Sequence, residues 1–302
     1  MRPSSTLAEA TRHRWNALTR AERRVARAFL AHYPLAGLET VQALAARAGV
    51  STATVLRFVS KLGFSSYADF QAELRGQLAE TLQSPLTRYG RESAEPGSIP
   101  ALVIGALEER AEQLRTAGEL LLAEEIERAV HLLADPARTL LLLGGRYSAS
   151  IARYFADLLR GLRPGVAAVE GQTQTWADAL LDIGRRTVLV AFDFRRYQRD
   201  VVTFAELAHA RRAQILLITD PWHSEIARFA DCLLAVPVQS RSIYDSLTAA
   251  VALCEALAHA VARELGARTR RRLELQEQLR RPFAPALWTA TGNHTETSGE
   301  EG

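Results

Sequence analysis

The sequence predicts a small all-α domain followed by an α/β domain with a doubly wound, five-stranded parallel sheet. Three observations carry this. Residues 19–82 place apolar side chains at helical spacing between caps and glycine stops. Residues 139–236 instead alternate short, uninterrupted apolar runs with amphipathic stretches, the texture of a parallel sheet covered on both faces. Between them, residues 84–98 hold Pro85, Gly90, Pro96 and Gly97 with several serines, a linker composition.

A chain of 302 residues suits two domains, and 48% hydrophobic with 24% charged residues describes a globular protein. The expected boundaries are 1–83 for the helical domain, 84–125 for a linker and connecting helix, 126–268 for the α/β domain, and 269–302 for an Arg-rich stretch ending in a disordered tail. No apolar run reaches membrane-spanning length and no signal-peptide core is present, so a cytoplasmic protein is expected. Cys232 and Cys254 lie among apolar residues and read as buried thiols. No Cys/His spacing resembles a zinc site, and neither a metal nor a cofactor is expected.

In chain order, residues 1–18 read as a lead-in. Thr19 and Glu22 have capping-box spacing at the start of a helix that Pro34 ends. A second helix fits Thr40–Ala48, with Val41, Leu44, Ala45 and Ala48 on one face and Gly49 as its stop. Ser51 caps a third, Thr52–Leu62, and Ser66 a fourth, Tyr67 to about Leu82. A long helix, Pro100–Ala134, is expected to break near Gly118. The strands are Thr139–Leu143, Val166–Val169, Thr187–Phe192, Gln214–Thr219 and Cys232–Val236. Helices fit Ser148–Leu162, Thr175–Ile183, Arg199–Ala210, His223–Ala230, Ser246–Leu265 and Arg268–Arg281.

The second and third helices carry the sharpest local pattern. Ala45 supplies a small contact residue, Gly49 permits a tight turn, and Val55 and Phe58 fill the wedge, as helix-turn-helix packing requires. On the third helix Val55, Phe58, Val59 and Leu62 share one face; Ala53, Arg57 and Ser60 share the other. That polar face, with Ser51 and Thr52 at its start, is the expected DNA reader. Arg57 is the candidate for a base edge, since a guanidinium binds guanine bidentately. Thr52, Thr54 and Lys61 are candidates for phosphates. Residues 1–80 hold 11 Lys or Arg against 6 Asp or Glu, a mild basic surplus.

Residues 19–80, through Val50-Ser51-Thr52-Ala53-Thr54-Val55, Arg57-Phe58 and Lys61-Leu62-Gly63-Phe64, resemble the helix-turn-helix domain of RpiR-type (MurR/RpiR) regulators. The second half resembles the sugar isomerase (SIS) domain that these regulators carry. The resemblance implies a transcriptional regulator that binds double-stranded DNA, with a palindromic operator, and is controlled by a sugar phosphate or related carbohydrate derivative.

In a doubly wound sheet ligands bind outside the C-terminal strand ends. There lie Gly144, Gly145, Arg146 and Ser148, then Asp193, Arg195 and Arg196, then Ser242 and Asp245, which are the candidate effector-binding residues. A glycine turn opening a helix favours an anion. SIS domains carry Gly-x-Gly-x-Ser after the first strand; Gly144 and Ser148 match, but Arg146 replaces the second glycine. Their Ser-x-Ser-Gly-x-Thr loop corresponds to Asp193-Phe194-Arg195-Arg196-Tyr197-Gln198, which has none of those hydroxyls. The three arginines supply charge-assisted donors for a phosphate or carboxylate instead, and the expected ligand is a small anionic metabolite. Arg195 and Arg196 paired with acids in a structural contact is the competing reading, and Asp245 with Ser242 and Ser246 also reads as helix capping.

A sugar-phosphate isomerase is the alternative. Glu170, His223, Glu255 and His259 are the available acid–base groups, but their spacing forces no two into one pocket, so no catalytic residue is assigned. A homodimer or homotetramer is expected, with Leu247–Leu257 as the dimer face.

Overall fold

The structure, a computed structural model, describes residues 6–31, 33–81, 86, 88, 89 and 98–283. The N-terminal domain holds α1 (Leu7–His13), α2 (Arg20–Ala31), α3 (Leu35–Leu38), α4 (Val41–Ala48), α5 (Thr52–Lys61) and α6 (Tyr67–Thr81). The expected lead-in is therefore partly a helix. Leu7 and Ala8 are buried in the domain core, and the Leu7 N–H donates to Gln77 Oε1 at 3.2 Å. One buried apolar pair is too little to reveal a helical period in sequence.

The capping box forms as expected: Thr19 N–H donates to Glu22 Oε2 at 2.8 Å and Glu22 N–H to Thr19 Oγ1 at 3.4 Å. Phe29 anchors the core, its ring centroid 5.2 Å from Tyr33, 6.1 Å from Phe58 and 5.4 Å from Phe70. Gly49 sits in the left-handed region at φ 62°, and a Cβ there would meet the Arg24 guanidinium. Arg24 Nε in turn donates to Ala48 O at 3.1 Å, fixing the turn from outside.

The long helix is two: α7 (Ile99–Leu120) and α8 (Ala123–Ala134). The break falls at Leu121 and Leu122, both extended, and not at Gly118, which is exposed inside α7. An exposed glycine in mid-helix costs only about 1 kcal/mol. Both halves bury residues in the α/β domain, Ala117 and Leu120 before the break and Ala129, Leu132 and Leu133 after it.

Strands β1 (Thr139–Gly144), β2 (Val166–Ala168), β3 (Thr187–Phe192), β4 (Gln214–Thr219) and β5 (Cys232–Ala235) form one parallel sheet in the order β2-β1-β3-β4-β5. Strand alternation divides the core. Val188, Val190 and Phe192 of β3 meet α8, α9 (Ser148–Leu162) and α12 (Thr248–Leu265). Leu189 and Ala191 meet α10 (Trp176–Leu181) and α11 (Arg199–Ala210) on the other side. A last helix, α13 (Ala267–Arg280), follows.

Two further expectations fail. His223–Ala230 is only a 3-10 turn, Glu225–Arg228, with Ser224 upstream held by the buried Asp193 carboxylate. Leu247–Leu257 is not a free face: Leu253, Cys254 and Leu257 are buried against the sheet of their own chain. Both cysteines are buried as expected. Most of the linker expected at 84–98 and the tail expected at 291–302 lie outside the described residues. Among the described residues, no helix is long and apolar enough to cross a membrane.

Candidate functional site

Two surfaces concern function. The first is α5. The Ser51 hydroxyl caps it, accepting from Thr54 N–H at 3.4 Å. Val55, Phe58, Val59 and Leu62 are buried, so packing fixes which face points outward. That face exposes Ala53, Arg57 and Ser60, with Ser51 and Thr52 at its N-terminus. Thr54 is buried; its Oγ1 accepts from Arg57 Nη2 at 3.1 Å, so it positions the arginine from within. The Lys61 ammonium turns back to Glu22 Oε2 at 2.8 Å and Ala17 O at 2.9 Å. Burial opposes charge on Glu22, but the Lys61 and Thr19 hydrogen bonds outweigh it and lower the carboxyl pKa. The sequence reading missed Leu56, which is exposed on the same face as Arg57. Its helical spacing from Ala53 and Ser60 was the available signal.

The second surface is the set of loops at the C-terminal ends of β1, β3 and β4. The order of this sheet reverses between β1 and β3, and that switch point is where ligands bind in such sheets. After β1, Gly144 lies against the backbone of Ser148, leaving no room for a Cβ. The Ser148 hydroxyl accepts from Gly145 N–H at 2.9 Å and donates to Phe192 O at 2.9 Å, tying the β1 loop to β3. The Arg146 N–H, at the start of α9, donates to the side-chain carbonyl of Gln198. The anion cradle expected from the glycine turn is thus occupied by the chain's own amide.

After β3, Asp193 is buried. Its carboxylate accepts from Ser224 Oγ and from Gln198 N–H, the latter at 3.2 Å. Burial dominates and pushes its pKa up to about 7. Asp220, fully buried after β4, accepts from Tyr197 OH at 2.8 Å, Trp222 N–H at 2.9 Å and Arg195 N–H. Burial raises it to about 6. The Arg195 side chain is only 3% exposed. It makes a two-pronged pair with Asp245, one prong being Nε to Oδ2 at 2.6 Å, and lies over the Trp222 ring at 5.5 Å. Arg88 completes the cluster, donating to Asp245 Oδ1 at 3.0 Å and Ser242 O at 3.4 Å. Arg146 and Arg196 stay exposed; Arg146 stacks over Tyr147 at 5.0 Å, and Arg196 has φ 61°.

The structure therefore joins Gly145 to Ser148, Arg146 through Gln198 to Asp193, Arg195 to Asp245, and Ser242 to Asp245 through Arg88, with Gly144 packed on the Ser148 backbone. Arg88 and Trp222 escaped the sequence reading, which placed Tyr197, Gln198 and Asp220 in the strand-end loops but did not name them as site residues. Gln198 closes the loop that replaces the hydroxyls, which was a usable signal; Arg88, in the linker, offered none. Two of the acid–base candidates have partners of their own: Glu255 accepts from Tyr154 OH at 2.7 Å and Glu170 pairs with Arg153 at 3.6 Å.

These loops also meet the helical domain. Trp222 and Val238 belong to the same buried cluster as Phe29, Phe58 and Phe70, and Phe194 packs partly against it. An open concavity lined by Glu124, Arg128, His131 and Gln214 lies at the other, N-terminal end of the strands, away from the switch point.

Comparison with known proteins matches residues 5–81 to the helix-turn-helix domain of the rpiR family and residues 133–260 to the SIS domain. The chain is 29% identical to the HTH-type transcriptional regulator HexR of Pseudomonas aeruginosa, over 91% of this chain and 93% of that protein. The fold is similar to the sugar isomerase domain of an RpiR transcription factor from Sphaerobacter thermophilus (23% identity, TM-score 0.54, 59% of this chain, 99% of that one). It is also similar to the Vibrio vulnificus NanR protein complexed with ManNAc-6P (18% identity, TM-score 0.52, 92% of this chain, 99% of that one).

Proposed function

The chain belongs to the RpiR-type helix-turn-helix regulators that carry a SIS domain, and from that premise we propose how it works. Two α5 helices of a homodimer enter successive major grooves of a palindromic operator, with Arg57 at a base edge. Ser51, Thr52 and Ala53 lie at the groove entrance. The effector is a small anion, a sugar phosphate or sugar acid, held at the switch point between β1 and β3. Its anionic group takes the N–H donor of Arg146, displacing the Gln198 carbonyl. Arg146 and Arg196 supply charge from the rim.

One observation carries the coupling. The loop from Asp193 to Gln198 both occupies the ligand cradle and, through Phe194 and the Arg195–Trp222 stack, meets the buried cluster of the DNA-reading domain. A ligand that moves Gln198 moves that loop, and with it the seam. Coupling through one seam is reciprocal, so operator DNA changes ligand affinity by the same factor as ligand changes DNA affinity.

Asp193 supports a second reading. A carboxyl near pKa 7 suits proton transfer next to a carbonyl, the chemistry of sugar-phosphate isomerisation. Both of its oxygens are bonded within the chain, which favours a structural role and a protein that is not an enzyme. Footprinting on the DNA upstream of the gene, beside a turnover assay with hexose and pentose phosphates, separates the readings. The regulator protects a discrete site and turns nothing over; turnover without protection makes it an isomerase.

A further inference from the structure

The outward face of α5 carries two kinds of side chain. Arg57 and Ser60 are polar, Ala53 and Leu56 are not, and all four are exposed. At about 100° per residue, Ala53 and Ser60 run down the middle of the face, with Arg57 on one flank and Leu56 on the other. The middle is a low ridge of short side chains, and the two long ones project on either side of it. Arg57 is aimed: its Nη2 donates to Thr54 Oγ1 at 3.1 Å, one turn toward the helix start. Leu56 is 47% exposed and takes no part in the apolar cluster that holds the domain, whereas Val55, Phe58, Val59 and Leu62 are all buried in it. A leucine in water is ordinary; this one lies on the face that a duplex would cover, beside the arginine placed at a base edge above. Thr52, one turn earlier, is the only polar side chain of α5 on that flank. A donor or acceptor of a base edge covered by leucine would lose water and gain no partner. The base-edge group in the major groove that an aliphatic side chain complements is the 5-methyl of thymine.

We propose that Leu56, with the Ala53 methyl one turn before it, reads the 5-methyl of a thymine in the base pair next to the one that Arg57 contacts. This deepens the DNA-reading function above and rests on it. Arg57 supplies the paired donors that suit guanine, and Leu56 supplies the apolar contact that suits the neighbouring thymine. Each half-site then holds a G·C pair beside a T·A pair. The Ala53–Ser60 ridge is short enough to let both long side chains reach the base edges at once. Burying one methyl group is worth about a 4-fold change in binding, and about 16-fold over two half-sites.

The test uses the full chain and the operator found by footprinting. Arg57→Ala marks the position at which base discrimination relaxes. Each thymine of the half-sites is then replaced in turn by deoxyuridine, which keeps the base pair and its O4 acceptor and lacks only the methyl. Wild type should lose about 4-fold per half-site at one thymine, adjacent to the Arg57 position. Leu56→Ala, at an exposed site, should melt with wild type. It should bind the unmodified operator at least as weakly as wild type binds the uracil one, and no longer distinguish the two. Cytosine placed at the same position weakens wild type, and 5-methylcytosine, which returns the methyl on a different hydrogen-bonding edge, should recover affinity for wild type and not for Leu56→Ala. Uracil tolerated at every position by wild type, or a Leu56→Ala protein that still senses the methyl, overturns the proposal and leaves the DNA reading standing. A chain that protects no discrete site refutes the DNA reading and this proposal together.

Discussion

The outward face of α5 and the loop after β3 are the two polar surfaces on which the account rests, and they are built in opposite ways. On α5 the buried residues fix the helix, while Ala53, Leu56, Arg57 and Ser60 remain at the surface. After β3 nearly every polar group is engaged: Asp193 with Ser224 and Gln198, Asp220 with Tyr197, Arg195 with Asp245, and Gln198 with the Arg146 amide. The proposed DNA reader is presented ready-made. The proposed effector site is held closed by its own side chains, so a ligand there must substitute for existing hydrogen bonds. Changes at the first surface should alter DNA affinity and leave stability alone; changes at the second should lower stability.

The largest effect is expected from Asp245→Ala. It strands the Arg195 guanidinium, 3% exposed, and also frees Arg88. Removing one partner of a buried pair should cost roughly 3 kcal/mol, read as a lower denaturation midpoint. A loss under about 0.5 kcal/mol, within the range of an ordinary surface change, would show that this cluster is not the closed latch described.

Next is the pH dependence of Asp193. Its pKa rises from 3.8 to about 7 on folding, so between those values the folded state holds the extra proton. Stability from this group is therefore present at pH 4 and lost as pH rises toward 7. Asp193→Asn removes the loss: near-neutral at pH 4, it should stabilise the protein at pH 8, by at most ~1.4 kcal/mol for each pH unit between the two pKa values. Chemical denaturation at the two pH values measures this. A variant that gains nothing at pH 8 contradicts it.

Arg57→Ala should weaken operator binding by about 1–3 kcal/mol per half-site and relax specificity at one base position. Its melting temperature should match wild type, because the side chain is exposed. Equal loss on specific and random DNA would demote Arg57 to a phosphate contact. The smallest effect is Lys61→Met. It leaves the buried Glu22 carboxylate without its cation and should cost about 1 kcal/mol of stability. The salt dependence of DNA binding should not change, whereas a phosphate-bound lysine would flatten the slope by about one.

Elements whose signals are local were legible in sequence. The capping box at Thr19 and Glu22, the Gly49 turn and the wholly buried β3 each depend on residues within a few positions of one another. The α5 wheel placed Arg57 correctly on the outward face for the same reason. What was missed depends on partners far along the chain. Lys61 reads as a free cation until Glu22, 39 positions away, is seen to hold it. Arg195 reads as an anion donor until Asp245, 50 positions on, occupies it. Arg88 pairs across 157 positions from a segment with linker composition. Leu247–Leu257 has the apolar content of an interface, and only the sheet beneath it shows that the face is already used.

The central claim is that one seam links the strand-end pocket to the DNA reader. Fluorescence anisotropy of labelled upstream DNA, titrated with and without saturating hexose 6-phosphates and sugar-acid 6-phosphates, tests it most directly. The account predicts specific binding that at least one of these anions shifts five-fold or more, with the DNA shifting that anion's affinity by the same factor. Specific DNA binding that no such anion alters, while calorimetry shows the anion bound, would contradict it.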